Sequence, residues 1–282
     1  MIMVRRAFCD FADGQVHYRH AGAGLPLLLL HASPGSSRQT EPLIAALAAD
    51  HAVLAPDTPG NGDSTPLPLP GDRAPTIADY AARALALLDA LGIGRTRVYG
   101  SHTGAAIACE LAALAPDRVT SVVLDGAVEF DAPTRDAFLD GYAPSFSPTL
   151  EGDHLIRAFQ FCRDQYLFYP WFRREAAHVR GIGLPDAARL HDTVLDVLKT
   201  GTTYRDSYHA AFRYPFAERL ALLRCPVLGL AGAHDPLRET TRALLAHAPR
   251  GRIAVVEPYG AAGHWPTVAA IIRTFHAEDP AA

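Results

Sequence analysis

The chain has 282 residues, 49% of them hydrophobic and 20% charged, with a formal net charge of -4 at pH 7. That is a soluble globular composition with enough length for a sizeable core. With 26 basic against 30 acidic residues there is no cationic excess to bind nucleic acid, and 13 histidines are the one unusual count.

Residues 1–10 lack the apolar stretch of about 7–15 residues that a signal peptide carries. The leucine-rich run Leu25–Leu30 is far shorter than the ~20 residues that span a bilayer. The chain is therefore expected to be cytoplasmic, with no membrane or nucleic-acid partner. Cys9, Cys109, Cys162 and Cys225 are scattered without a C-x-x-C pair and read as buried free thiols.

In chain order, residues 15–20 alternate like a half-exposed strand. Short apolar runs follow at 25–31, 51–57, 96–100, 119–125, 226–232 and 252–257, as expected for strands buried on both faces of a parallel sheet. Helical patterns at 37–49, 76–91, 103–115, 237–248 and 265–275 lie between or after them. The alternation predicts an α/β fold with a mostly parallel central sheet flanked by helices. Residues 56–75 carry six prolines and read as a long surface loop.

Residues 130–216 break this rhythm. They hold 16 of the 24 aromatic residues, in a helical pattern broken by Pro and Gly. An insertion of this kind between two core strands reads as a helical, aromatic cap over an apolar substrate pocket. The expected division is a core of residues 1–129 and 217–282 with a cap at 130–216, all one domain unit.

The sharpest local signal is Tyr99-Gly100-Ser101-His102-Thr103-Gly104. It follows an apolar strand and opens a small-residue helix. A G-x-S-x-G elbow needs glycines where side chains would collide and thrusts its nucleophile from the apex. With Gly100 and Gly104 as the elbow glycines, the apex residue is His102. Centring the turn on Ser101 would crowd its flanks with Tyr99 and Thr103.

The chain resembles the α/β-hydrolase family along nearly its whole length. His31-Ala32-Ser33-Pro34-Gly35-Ser36 is similar to the H-G-x-P-G-S loop, with Ala32 in place of glycine. Pro56-Asp57-Thr58-Pro59-Gly60-Asn61-Gly62-Asp63-Ser64 is similar to the family's P-D-x-P-G-x-G-x-S loop. The resemblance of Gly232-Ala233-His234-Asp235 implies that Asp235 is the triad acid, and that of Gly263-His264-Trp265-Pro266 gives His264 as the general base. It also implies Asp235 behind His264 as its orienting partner, and an oxyanion hole at Ser33 and Thr103.

The departure at His102 leaves several readings open. Imidazole can itself act as nucleophile or as base for an attacking water, giving a cofactor-free hydrolase of a small ester, lactone or C–C-linked carbonyl substrate. The same pocket could serve a cofactor-free lyase or isomerase, or a small-molecule-binding protein without turnover. His102 and His264 could hold a metal with His31 or Asp235, but the family geometry leaves too few ligands, so no metal or cofactor is expected. In the cap, His154, Arg157 and Trp171 are candidate substrate contacts, with His31 a further one despite its structural part in the family. The remaining histidines, His17, His51 and His276 among them, read as surface or helix positions. Self-association into a homo-oligomer is compatible with the sequence.

Overall fold

The computed structural model describes residues 3–257 and 263–278. The first half runs β1 (Arg5–Phe11), β2 (Gly14–Ala21), β3 (Leu25–Leu30), α1 (Glu41–Leu47), β4 (His51–Pro56), α2 (Ile77–Ala90), β5 (Thr96–Ser101), α3 (Thr103–Leu114) and β6 (Val119–Asp125). Between β6 and the next strand lie α4 (Ala132–Gly141), α5 (Asp153–Leu167), α6 (Ala187–Thr200), α7 (Tyr204–Phe212) and α8 (Phe216–Leu220). The chain then forms β7 (Val227–Gly232), α9 (Arg238–Leu244), β8 (Gly251–Val256) and α10 (His264–Ala277).

The eight strands form one sheet in the order β1-β2-β4-β3-β5-β6-β7-β8. The pairings β1–β2 and β2–β4 are antiparallel, and the rest are parallel. The alternation of side chains along each strand feeds two cores. Leu28, Leu30, Val98, Val122 and Leu124 pack with α2 and α3, whereas Leu27, Leu29, Tyr99 and Val123 pack with α1 and α10. Both faces are covered, which is why these strands read as continuous apolar runs.

Two sequence expectations about elements need correction, and one strand went unmarked. β1 has no apolar run, because its residues sit half-exposed at the sheet edge, so its pattern gave no strand signal. Residues 37–49 are not one helix: a 3-10 turn, Ser37–Thr40, precedes α1, which restarts at Pro42 in its first turn. Residues 57–61 are buried rather than surface loop. Asp57 accepts the N–H groups of Ser37 at 2.7 Å and Asp63 at 2.8 Å, and its Oδ2 lies 2.8 Å from His17 Nδ1. Burial alone would raise the Asp57 carboxyl, but the His17 and Ser37 bonds and the nearby His31 hold it far below the usual carboxylate range. His17, Asp57 and Asp63 are the only metal-like grouping among the described residues, and those backbone and imidazole donors already use the Asp57 oxygens.

His17 and His51 are buried strand residues rather than surface or helix positions, and His276 is a helix position that is buried. His51 Nε2 lies 3.2 Å from His276 Nδ1 and joins the start of β4 to the end of α10.

The segment between β6 and β7 builds a third cluster of its own. Phe138, Phe146, Phe161, Tyr204, Tyr208 and Phe212 are buried in it, with many ring pairs edge-to-face or tilted. No helix of the described residues is long and apolar enough to cross a membrane.

Candidate active site

The turn from β5 into α3 puts backbone where side chains would otherwise stand. A Cβ at Gly100 would lie 2.1 Å from the Gly104 carbonyl oxygen, and one at Gly104 would lie 2.2 Å from that of Leu30. Only glycine lets α3 descend so closely onto β3 and β5. His102 stands between strand and helix at φ 48° and ψ -106°, and is the only non-glycine residue with positive φ among the described residues. Such a backbone is costly for an L-residue and persists only when held from outside. Here the His102 N–H donates to the Asp125 carbonyl at 2.8 Å, and the His102 carbonyl accepts the Ala105 N–H at 2.9 Å. Ser101 is still in the strand, opposite Asp125.

The His102 side chain is 42% exposed, and its Nε2 lies 3.7 Å from Asp235 Oδ2. That separation suits an ion pair with a protonated ring but is too long for a hydrogen bond. Asp235 is placed by the turn after β7, where its Oδ1 accepts the Leu237 N–H at 2.7 Å. His264 opens α10 and is buried, with Nδ1 2.8 Å from the Glu257 carbonyl. A carbonyl can only accept, so that contact fixes the proton on Nδ1 and leaves Nε2 as the basic nitrogen of the neutral ring.

The expectation that Asp235 orients His264 is thus corrected. The Glu257 carbonyl takes His264 Nδ1, while Asp235 spends one oxygen on its own loop and turns the other toward His102.

Ser33 and Thr103 are both buried, and Thr103 directly follows His102. The Thr103 N–H lies in the first turn of α3, where no intrahelical acceptor exists. Ser33 is held from α7: its hydroxyl lies 2.7 Å from that of Ser207, and its carbonyl accepts the Tyr208 hydroxyl at 2.8 Å.

The outlying contacts expected from sequence fall elsewhere. His31 is buried and serves the backbone on both sides, Nε2 accepting the Thr58 N–H at 2.9 Å while Nδ1 donates to Ala32 at 3.0 Å. Burial pushes its imidazole toward the neutral form, as that bonding requires. His154 accepts the Thr149 N–H, and Arg157 is exposed near Asp153 on α5. The Trp171 indole N–H donates to Tyr142 at 2.8 Å and its ring meets Phe161 edge-on, so it belongs to the aromatic cluster. None of the four has a bond that places it at His102.

Sequence reasoning missed several neighbours. Asp125 read only as the end of a strand, yet it is buried and accepts the Tyr99 hydroxyl at 2.6 Å. A Cβ at Gly126 would lie 2.9–3.1 Å from the His102 ring atoms, so Gly126 makes the room the imidazole occupies. Tyr142 and Tyr169, from the inserted segment, are within electrostatic reach of Asp235 and Arg180. Burial is the main cause that pushes Tyr142 up to about 12. A D-G pair directly after a strand was the one available signal for Asp125; nothing in the sequence marked the tyrosines.

A family model described as alpha/beta hydrolase fold matches residues 26–265. The chain belongs to the α/β hydrolase fold family. Among curated relatives, it is 29% identical over 136 residues to the dihydrolipoyllysine-residue acetyltransferase component of the acetoin cleaving system of Pseudomonas putida, over 48% of this chain and 36% of that protein. It is 34% identical over 150 residues to 2-hydroxymuconate semialdehyde hydrolase of Pseudomonas sp. (strain CF600), over 51% of this chain and 50% of that one. The chain thus spans half or less of the length of these relatives. Epoxide hydrolase A from Mycobacterium thermoresistibile shares the fold, with a TM-score of 0.72 at 22% identity over 97% of this chain and 98% of that one.

Proposed function

We propose that the chain is a cofactor-free hydrolase of a small, partly apolar ester, lactone or C–C-linked carbonyl compound, with His102 in the place of the family's serine. The observation that carries this reading is the His102 geometry: a left-handed apex, a half-exposed imidazole, and Nε2 facing the Asp235 carboxylate at 3.7 Å. Asp235 favours the proton on Nε2, which leaves the Nδ1 lone pair available. A neutral imidazole needs no deprotonation before it acts. Its lone pair adds to the carbonyl carbon, or takes a proton from a water that does so.

Either route puts negative charge on the carbonyl oxygen, toward which the backbone N–H groups of Ser33 and Thr103 would point. In the general-base route the leaving group takes the proton that His102 removed from water. In the covalent route it takes the His102 Nε2 proton and leaves a neutral acyl-imidazole; water then attacks this acyl carbon, His264 Nε2 accepts the proton that the water gives up, and that proton returns to His102 as the C–N bond breaks. The helical segment 130–216 serves as the cap, and two of its residues, Tyr142 and Tyr169, lie within electrostatic reach of the acid.

Arg180 adds a preference for an acidic substrate. Its charge is felt by the same two tyrosines that feel Asp235, and its Nη1 is held by the Gln165 carbonyl at 2.7 Å. The hydroxymuconate semialdehyde named for one relative would carry the carbonyl and carboxylate that such a site takes.

Turnover on a panel of short esters, lactones and vinylogous keto acids tests the reading. His102→Ala should lower kcat/KM by roughly 100-fold or more, the scale of losing a nucleophile or general base. Full activity in His102→Ala, or strong fluorophosphonate labelling of Ser101, would sink the assignment. Solvent-deuterium incorporation without hydrolysis would transfer the site to a lyase or isomerase.

A further inference from the structure

An oxyanion donor is useful only if it is aimed, and at Ser33 the aim is shared between two parts of the chain. The peptide joining Ala32 to Ser33 is planar, so the Ser33 N–H points away from the Ala32 carbonyl. That carbonyl is held within its own loop, by the Gly35 N–H at 3.1 Å and His31 Nδ1 at 3.0 Å. The other polar groups of Ser33 are held from α7. The Tyr208 hydroxyl has one proton and two acceptors, the Ser33 carbonyl at 2.8 Å and Gln165 Oε1 at 3.3 Å, and the nearer takes it. Ser207 donates its own proton to the Tyr204 carbonyl at 3.0 Å, a group that can only accept. Its oxygen is left to receive the Ser33 hydroxyl at 2.7 Å, so donation runs from Ser33 through Ser207 to the backbone of α7. The Asn61 amide makes a longer contact, 3.4 Å, with the same Ser207 oxygen.

Ser33, Asn61, Ser207 and Tyr208 are all buried. Among the described residues, no hydrogen bond engages the Ser33 N–H itself. When every other polar group of a buried residue is bonded, the remaining donor is the one a ligand oxygen can take. The grip extends beyond one residue. Ser36 and Arg38, on the same loop, reach Asp196 of α6 at 3.3 and 3.1 Å. Thr203, just before α7, donates to the Gly60 carbonyl at 2.5 Å.

We propose that Ser207 and Tyr208 are positioning residues for the oxyanion hole, holding Ser33 through its hydroxyl and carbonyl so that its N–H meets the charged oxygen. This role rests on Ser33 being an oxyanion donor, as the hydrolase reading has it. Neither residue touches substrate in this role. Such a donor acts over a narrow range, about 2.7–3.1 Å, so a loosened loop loses transition-state binding while ground-state contacts elsewhere persist. The inserted segment thereby becomes part of the chemistry, because with α7 unseated one of the two donors is no longer fixed.

Hydrogen exchange followed by mass spectrometry, together with steady-state kinetics, tests this on the full chain. In Tyr208→Phe and Ser207→Ala, exchange across residues 31–36 should quicken about tenfold, the scale of one lost hydrogen bond, with the strands unchanged. On the best substrate of the ester and lactone panel, kcat should fall about tenfold while KM stays within about twofold. Ser33→Ala keeps the N–H and loses the bond to Ser207. It should therefore match Ser207→Ala, and the double variant should be no slower than either. Unchanged exchange at 31–36 in both variants, or faster exchange with kcat unchanged, would overturn the proposal. A rise in KM at constant kcat would overturn it too, since that pattern marks ground-state binding. Should Ser207→Ala fail to fold, Tyr208→Phe, which deletes one oxygen, decides alone. A native chain inactive on the whole panel would refute the hydrolase reading, and the exchange comparison would still decide whether α7 holds Ser33.

Discussion

A histidine at the apex differs from a serine in what it needs before it can act. A hydroxyl must lose its proton to a base, whereas an imidazole needs only the right tautomer and an unobstructed lone pair. Space for that ring comes from Gly126, whose φ of 79° and contact with His102 both exclude a side chain. Gly126→Ala should therefore cost about 1–3 kcal/mol of stability through backbone strain and displace the ring, with kcat falling more than tenfold while KM changes little. Thermal unfolding and steady-state kinetics on the same preparation check both parts. Arg180 separates binding from chemistry in the opposite sense: Arg180→Met should raise KM about tenfold for a substrate carrying a free carboxylate and leave its methyl ester unaffected. Equal KM values for acid and ester in the native chain would remove Arg180 from the site. At this scale the sequence named His102, Asp235 and His264, because each follows a strand end or precedes a helix within a motif. It could not tell which pairs with which, since that depends on which Asp235 oxygen the Leu237 N–H claims.

Among the elements, α3 can reach the sheet because its first turns are Thr103-Gly104-Ala105-Ala106-Ile107-Ala108, small enough for helix backbone to lie on strand backbone. α10 shows a different kind of tie. Its His276 packs against His51 at the start of β4, and burial first, then the charges of Arg97 and His51, bring the His276 imidazole down to about 3. In the unfolded chain the same ring titrates near its usual 6.5. Between those values the unfolded chain binds the proton and the folded one does not, so stability is full above about pH 6.5 and falls as pH drops toward 3. The loss should be on the order of 3 kcal/mol between pH 7 and pH 4, and His276→Leu should flatten that part of the curve. Denaturant titrations at several pH values decide it. An acid slope unchanged in His276→Leu would assign the loss to other groups. Neither histidine carried a sequence signal, because they meet across 225 residues of chain.

For the molecule as a whole, two cores belong to the sheet and a third to residues inserted between β6 and β7. Phe138 is the hub of the third, in ring contact with Phe130, Tyr142, Tyr169, Phe172 and Phe212. Phe138→Ala should cost about 3–5 kcal/mol, the range for deleting a buried aromatic ring. It should appear first as proteolytic cleavage within 130–216, at protease levels that leave the native chain whole. Cleavage spread evenly over the sheet would instead mean that the insert and sheet unfold as one unit. The sequence by itself determined the sheet and its order of chemistry-bearing loops: apolar runs bounded by Gly, Pro and Asp specify strands, and glycines at 100 and 104 specify the turn that lifts position 102. Those are local properties, set by periodicity and by what a single backbone position can tolerate. Only the tertiary structure decided that Asp235 faces His102, that Glu257 holds His264, that Tyr99 and Asp125 lie beneath the centre, and that β1 closes the sheet edge. Each of these depends on which distant group first satisfies a donor, a charge or an exposed strand, and that competition is settled by packing in three dimensions.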